Sequence, residues 1–176
     1  MSEAAVETLD KLRGPTIIKE IKTAGVTHIL SVPDLHTSKG LLHPIAADPD
    51  FRHIRVCKED ECLGIAAGLT YGNIRSLMLV QYTGFLYAMN AIRGVAIEQK
   101  LPICMMIGLL GKEPGVLPTE SKRFGLRIIE PILDVLGIVH TCIETEADTS
   151  RISAAIDEAW RTSRPTAILI GGRPEA

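Results

Sequence analysis

Apolar residues along the chain fall into two kinds of run. One kind is short and continuous: Leu77-Met78-Leu79-Val80, Ile103 to Ile107 and Ala167 to Ile170. A strand with one wet face alternates apolar and polar residues, so unbroken runs predict strands covered on both faces. The other kind recurs at helical spacing, as in Ile152, Ala155, Ile156, Ala159 and Trp160, and places Trp160 in the core.

In chain order, residues 1–13 carry charge without pattern and are expected to be a loose N-terminal segment. Pro15 opens a helix that closes at Gly25, the Pro-first, Gly-last arrangement. A strand over His28–Val32 is stopped by Pro33-Asp34, and a helix follows from Ser38 to Ala47. Asp48-Pro49-Asp50 turns into a strand over 53–57. Then come a small-residue helix over Glu59–Tyr71, a strand over Ser76–Gln81 and a helix over Gly84–Lys100. A strand over Ile103–Ile107 leads into a long loop, Gly108–Gly125. The remaining elements are a helix over Ile129–Leu136, a strand over Ile138–Ile143, a helix capped by Asp148, and a strand over Thr166–Ile170. Six strands alternating with helices predict one α/β domain over 1–176, a doubly wound, mostly parallel six-stranded sheet with helices on both faces. Such sheets bind ligands beyond the carboxyl ends of their strands. The segments of interest are therefore Pro33–Ser38, Lys58–Glu61, Gln81–Phe85 and Gly108–Gly125.

Composition narrows the function classes. The chain has 176 residues, 46% apolar and 4% aromatic, with a net charge of −2. Neither nucleic acid nor an acidic membrane surface is expected as the main partner. The longest apolar run, Ile103 to Leu110, is too short to span a bilayer, and no signal peptide is read at the start, so a cytoplasmic location is expected. The four cysteines lack CxxC spacing; Cys104 and Cys142 sit in apolar runs and read as reduced, buried thiols. The five histidines have no metal-ligand spacing, so no metal site is expected on this chain. The dinucleotide, P-loop, nucleophile-elbow and zinc-protease signatures are absent.

What remains is Glu59-Asp60-Glu61, at the junction of a strand and a helix of Gly, Ala and medium apolar residues. Acids at a helix start complement the free N–H groups and the dipole, a purely structural use worth roughly 0.3–1 kcal/mol each. A carboxylate beside small residues also suits a flat heterocycle with which it shares a proton.

The segment from Glu59 through Gly64 to Gly68 resembles the pyrimidine-binding (PYR) domain of thiamine diphosphate enzymes, in which a glutamate ends the second strand and a glycine follows nine positions later. Ser31-Val32-Pro33, Gln81-x-Thr83-Gly84 with Asn90-Ala91-Ile92, Gly111-x-Glu113-Pro114-Gly115 and Ile132 to Ile138 continue the likeness. It is greatest to sulfopyruvate decarboxylase α subunits and phosphonopyruvate decarboxylases. The resemblance implies that Glu59 is catalytic and hydrogen-bonds the cofactor's aminopyrimidine. It further implies that Pro33, Gln81, Thr83 and Gly84 help hold thiamine diphosphate, and that Asp34, His36, Tyr82 and Lys112 line the side of a 2-oxo acid substrate. The family holds diphosphate and Mg²⁺ on a second domain with a Gly-Asp-Gly segment, which this chain lacks. The resemblance therefore implies a separate β subunit, a hetero-oligomer, and an interface near the Gly64/Gly68 face and the helix after Gly84.

Three departures bear on the substrate. Tyr82 replaces an Asn of the family pattern, Leu86-Tyr87 replaces Gly-Asn, and Leu109-Leu110 stand where a basic residue is expected. Lys112, Lys122, Arg123 or Arg127 are the candidate replacements for an anion anchor, with a solvated basic loop as the plain alternative. Two other readings stand beside decarboxylation: a carboligase or acyl-transfer subunit with the same cofactor, and a non-catalytic α/β module that binds a ligand or partner.

Overall fold

A computed structural model describes residues 11–176. Six strands form one sheet in the order β2-β1-β3-β4-β6-β5. They are β1 (His28–Ser31), β2 (Arg52–Arg55), β3 (Ser76–Gln81), β4 (Cys104–Gly108), β5 (Val139–Ile143) and β6 (Thr166–Ile170). Every pairing is parallel, where the sequence predicted a mostly parallel sheet.

The unbroken apolar runs are explained by two cores. Successive residues of a strand point to opposite faces. Leu77, Leu79, Cys104, Met106, Ile168 and Ile170 pack on one side, against α1 (Gly14–Thr23), α2 (His43–Ala47) and α8 (Arg151–Thr162). Met78, Val80, Met105, Ile107, Ala167 and Leu169 pack on the other, against α3 (Glu59–Tyr71), α4 (Tyr82–Tyr87) and α7 (Ile129–Val135). Between α4 and β4 lie α5 (Met89–Ala91) and a wide turn over Ile92–Ile97, while α6 (Phe124–Arg127) directly precedes α7.

The helix expected over Gly84–Lys100 starts two residues earlier and is broken into these pieces; Gly94 beside β-branched Ile92, Val95 and Ile97 is a weak helix former. The chain leaves α7 through Gly137 at φ +65, with the Gly137 and Ile138 N–H groups donating to Asp134 and Leu133 carbonyls. β2 ends at Arg55 rather than 57, although the Val56 N–H still donates to Ser31 O at 3.1 Å.

Other expectations are corrected. Of the segment 1–13, residues 1–10 lie outside the described residues. Residues 11–13 are tied down: Leu12 is buried, and Arg13 pairs with Glu146 at 2.8 Å and bridges to Glu175. Asp148 does not cap α8, which begins after Ser150. Its carboxylate instead accepts the N–H groups of Glu144 and Thr145 at 3.0 and 2.9 Å and closes a turn over Glu146–Asp148. Trp160 is half-buried at the edge of its core, under the Arg75 guanidinium at 5.3 Å. The long loop holds a turn at Pro118–Glu120 as well as α6. The Glu113 carboxylate stitches it by accepting from Ser121 Oγ at 2.7 Å and the Lys122 N–H at 3.1 Å.

All four cysteines are free. Burial pushes the Cys62, Cys104 and Cys142 thiols up to about 12, so they stay protonated. Among the described residues no helix is long and apolar enough to cross a membrane.

Candidate active site

The carboxyl edge of the sheet carries two neighbouring clusters. The first forms where β2 passes into α3. Its three acids have different surroundings. The Glu61 carboxylate curls back to accept the N–H groups of Cys57 and Lys58 at 2.9 and 3.2 Å, which caps the helix. Asp60 is half-buried, and its Oδ1 has no hydrogen-bond partner among the described residues. Glu59 reaches across to α4. An ideal Cβ built on Gly84 would lie 2.4 Å from both Cγ and Oε1 of Glu59. A side chain at position 84 would therefore displace this carboxyl. Among the described residues the Glu59 carboxyl makes no hydrogen bond or ion pair, although it is half-buried at a helix start.

The surrounding residues come from the strand ends that flank the reversal of the sheet. The chain runs outward from β1 to β2 on one side and from β3 to β4 on the other. Ligands in such folds enter the crevice at this reversal. Pro33 follows β1 and is exposed; Gln81 ends β3, and its Nε2 donates to Thr83 Oγ1 at 2.9 Å. Tyr82 opens α4 and supports α6, because an ideal Cβ on Gly125 would lie 2.8 Å from its Cε2. The structure thus brings Glu59, Gly84, Gln81, Thr83 and Tyr82 onto adjoining elements.

The second cluster starts one strand away. Gln81 is in register with Gly108, and an ideal Cβ on Gly108 would lie 3.2–3.5 Å from Thr37, His36 and Asp34. Asp34 is buried, and its carboxylate accepts the His36 and Thr37 N–H groups at 2.5 and 2.8 Å and the Thr37 hydroxyl. Its hydrogen bonds all go to its own turn, so it holds the loop after β1 rather than presenting a free carboxylate. His36 is buried too, with Nε2 3.2 Å from Gly172 O. A carbonyl accepts only, so that nitrogen carries the proton. Burial lowers the His36 pKa and outweighs the opposing pull of Asp34.

Lys112 lies deeper than a loop lysine is expected to. Its side chain is 1% exposed; it pairs with Glu144 and donates to Glu113 O at 3.1 Å. Gly171 gives this pair room: an ideal Cβ there would stand 3.2 Å from both Lys112 Cδ and Glu144 Cγ. Of the other loop cations, Arg127 donates to the Ser121 and Lys122 carbonyls at 2.9 and 3.1 Å, and Arg123 lies across Gly111. A cavity of about 550 Å³ opens here, lined in part by His36, Lys112, Glu144, Gly171, Gly172 and Arg173. Sequence reasoning missed Glu144 and Arg173. The available signal was positional, because Glu144 directly follows β5 and Arg173 is the third residue after β6, and Gly171-Gly172 reads as more than a strand stop only once β6 is placed between β4 and β5. A shallower hollow of about 610 Å³ beside Trp160 sits at the amino ends of the strands, the wrong edge for a ligand site in this fold. Among the described residues no group of three or more His, Cys, Asp or Glu is placed to hold a metal ion.

No protein-family model matches the chain. Individual proteins do. The sulfopyruvate decarboxylase subunit alpha of Methanothermobacter thermautotrophicus is 28% identical over 85% of this chain and 90% of its own length. The subunit alpha of Methanococcus maripaludis is 32% identical over 54% of this chain and 56% of its own length. A sulfopyruvate decarboxylase of Methanosarcina acetivorans is 24% identical over 88% of this chain, which spans only 38% of that protein. Among solved structures, the 2-oxoglutarate:ferredoxin oxidoreductase of Magnetococcus marinus, with 2-oxoglutarate, coenzyme A and succinyl-CoA bound, superposes with a TM-score of 0.70. That match covers 92% of this chain and 29% of the other at 15% identity, a likeness of fold. The sequence similarity of this chain therefore runs, over most of its length, to the α subunits of sulfopyruvate decarboxylases.

Proposed function

We propose that this chain is the α subunit of a heteromeric thiamine diphosphate-dependent 2-oxo acid decarboxylase of the sulfopyruvate decarboxylase kind. The observation that carries the reading is the Glu59 carboxyl, half-buried at the carboxyl edge of the sheet, seated on bare Gly84 and without a partner among the described residues. A carboxyl so placed suits an aminopyrimidine ring nitrogen, with which it shares a proton. Gly84 leaves the room that this carboxyl occupies. Gln81 and Thr83, already bonded to one another, present amide and hydroxyl groups beside it, and Pro33 bounds the crevice across the reversal. Tyr82, next in the chain to Gln81, packs against α6 at Gly125. When bound, thiamine diphosphate supplies the electron sink that lets carbon dioxide leave a 2-oxo acid.

The aminopyrimidine end of the cofactor thus fits residues of this chain, and its diphosphate end does not. There is no Gly-Asp-Gly segment in the sequence and no cluster of metal-ligating side chains among the described residues. The reading assigns diphosphate and Mg²⁺ to a β subunit. Two features support this: relatives are designated subunit alpha, and a further relative runs well beyond the length this chain spans.

The test is reconstitution. The chain alone is expected to release no CO₂ from 2-oxo acids, and the complex with its β subunit is expected to do so. Glu59→Gln in the complex should lower turnover by about 10²-fold or more, the range for removing a positioned proton-transfer group, while the complex still assembles. Turnover close to that of the unaltered complex would sink the proposal.

A further inference from the structure

The cavity around Lys112 and Arg173 is not needed to explain Glu59, and its chemistry points to a ligand of its own. Segments after four of the six strands meet there: His36 after β1, Lys112 after β4, Glu144 after β5, and Gly171 to Arg173 after β6. At about 550 Å³ the cavity is the size of a small-molecule site.

The charges on its wall do not cancel. Lys112 is matched by Glu144, and Lys11 on the rim is matched by Glu175 at 2.9 Å. Arg173, exposed at the mouth, has no carboxylate or hydrogen-bond partner among the described residues, yet lies near enough to His36 to act on its charge. The Lys112 ammonium is almost wholly buried and carries three N–H groups, of which Glu144 and the Glu113 carbonyl take two. A buried donor left unmatched is costly, so the third calls for an acceptor inside the cavity. One spare buried ammonium proton and one spare guanidinium at the mouth together ask for an anionic oxygen acceptor. A planar carboxylate matches the guanidinium fork. Gly171 and Gly172 let the segment after β6 pack tightly on Glu144, which fixes the acid beside Lys112: a Cβ on Gly171 would stand 3.0–3.2 Å from Cys142, Glu144 and Lys112, and one on Gly172 would lie 2.2 Å from Glu144 O.

We infer that the cavity bounded by Lys112, Glu144, His36 and Arg173 is a binding site for a small organic carboxylate, held between the Lys112 ammonium and the Arg173 guanidinium. It lies one strand over from the Glu59–Gly84 cluster on the same carboxyl edge and takes in His36 and Lys112, which the family resemblance places on the substrate side; its binding test does not depend on the role proposed for Glu59. The carboxylate is either that of a 2-oxo acid or that of a simple organic acid.

The experiment uses the full chain without a partner. Backbone amide resonances of Gly111, Gly171 and Gly172 are followed by NMR during titration with pyruvate, with propionate, and with uncharged propionamide. Saturable shifts at these glycines are expected with pyruvate and none with propionamide. Propionate binding as well as pyruvate marks a general carboxylate site, and pyruvate alone marks a site that also reads the 2-oxo group; either result supports the inference. Arg173→Gln, a change at an exposed position, should weaken binding about tenfold, the loss of one charge-assisted contact. Lys112→Met should abolish it where the variant folds. Glu59→Gln should leave binding unchanged. The inference is overturned by a lack of saturable shifts, by equal response to propionamide, by unchanged affinity in Arg173→Gln, or by shifts that move to Gly84 and vanish in Glu59→Gln. Because the readout is binding, its failure leaves the CO₂-release test of Glu59 untouched, and the reverse holds.

Discussion

Gly84 matters for the atom it lacks. A methyl group there would meet Glu59 at 2.4 Å, well inside van der Waals contact. The obstacle is a half-buried side chain and not backbone, so Gly84→Ala is relieved by swinging the Glu59 carboxyl away, and the helix start stays in place. We expect the isolated Gly84→Ala chain to unfold within a few degrees of the parent, while CO₂ release by the assembled complex falls about tenfold or more. The double variant Gly84→Ala/Glu59→Gln should be no worse than Glu59→Gln alone, because both changes remove one carboxyl from one place. Full turnover in Gly84→Ala would show that the carboxyl's position is unimportant. The sequence made Glu59 legible through its spacing to Gly68 and the strand before it. The reason for Gly84 is a contact between α3 and α4, which no local pattern encodes. Glu144 was invisible for a similar reason: it meets Lys112 only because β6 lies between β4 and β5, and chain order does not state that.

At the scale of an element, the turn after β1 is a buried polar knot in an otherwise apolar layer. Asp34 fastens it from within, and His36 fastens it to Gly172. A strand stopped by Pro33-Asp34 was readable; that the aspartate turns inward was not, since the same Asp-x-His spacing serves a turn or a site equally well. The knot has a pH signature. Burial holds the His36 pKa below its ordinary value, so the unfolded chain binds this proton more readily than the folded one. Stability from the neutral ring is therefore present above the unfolded value of about 6.5 and is lost as pH falls from there towards the lowered folded value. His28 and His53 are shifted the same way, also mainly by burial, and add to the slope. For Asp148 and Glu146 burial acts to raise the pKa, but hydrogen bonds to the folded chain and a neighbouring arginine outweigh it and lower the value, so they lose their contribution only in the carboxylate range further down. Urea midpoints measured between about pH 7.5 and 5 should fall for the parent chain and fall less steeply for His36→Gln. Equal slopes for the two proteins would remove His36 from this account.

At the scale of the molecule, the sheet is complete on both faces, but the outer surface of α3 is not. Among the described residues, ideal Cβ atoms on Gly64 and Gly68, one turn apart, meet nothing within 4 Å, and the same holds for Gly94 on the wide turn beside α3. Tyr71 and Tyr87, at the ends of α3 and α4, are 75% and 57% exposed. Glycine inside a helix costs about 0.5–1 kcal/mol relative to alanine, and among the described residues no close approach to these two repays it. A second backbone approaching α3 would explain them, and on the proposed reading it would also bring the diphosphate-binding subunit up to Glu59 at the start of α3. This separates two substitutions at one position. Gly68→Ala should raise the stability of the isolated chain by about 0.5–1 kcal/mol in urea unfolding. Gly68→Arg should leave the isolated chain at least as stable as the parent, because the long side chain runs into open solvent. In the presence of the β subunit it should lower complex formation, measured by analytical ultracentrifugation, and turnover should fall in step with the amount of complex. If Gly68→Arg destabilises the chain by itself, the face is packed in a way the free subunit does not reveal. If it leaves both chain and complex unaffected, the β subunit docks elsewhere, and the glycines of α3 need another cause.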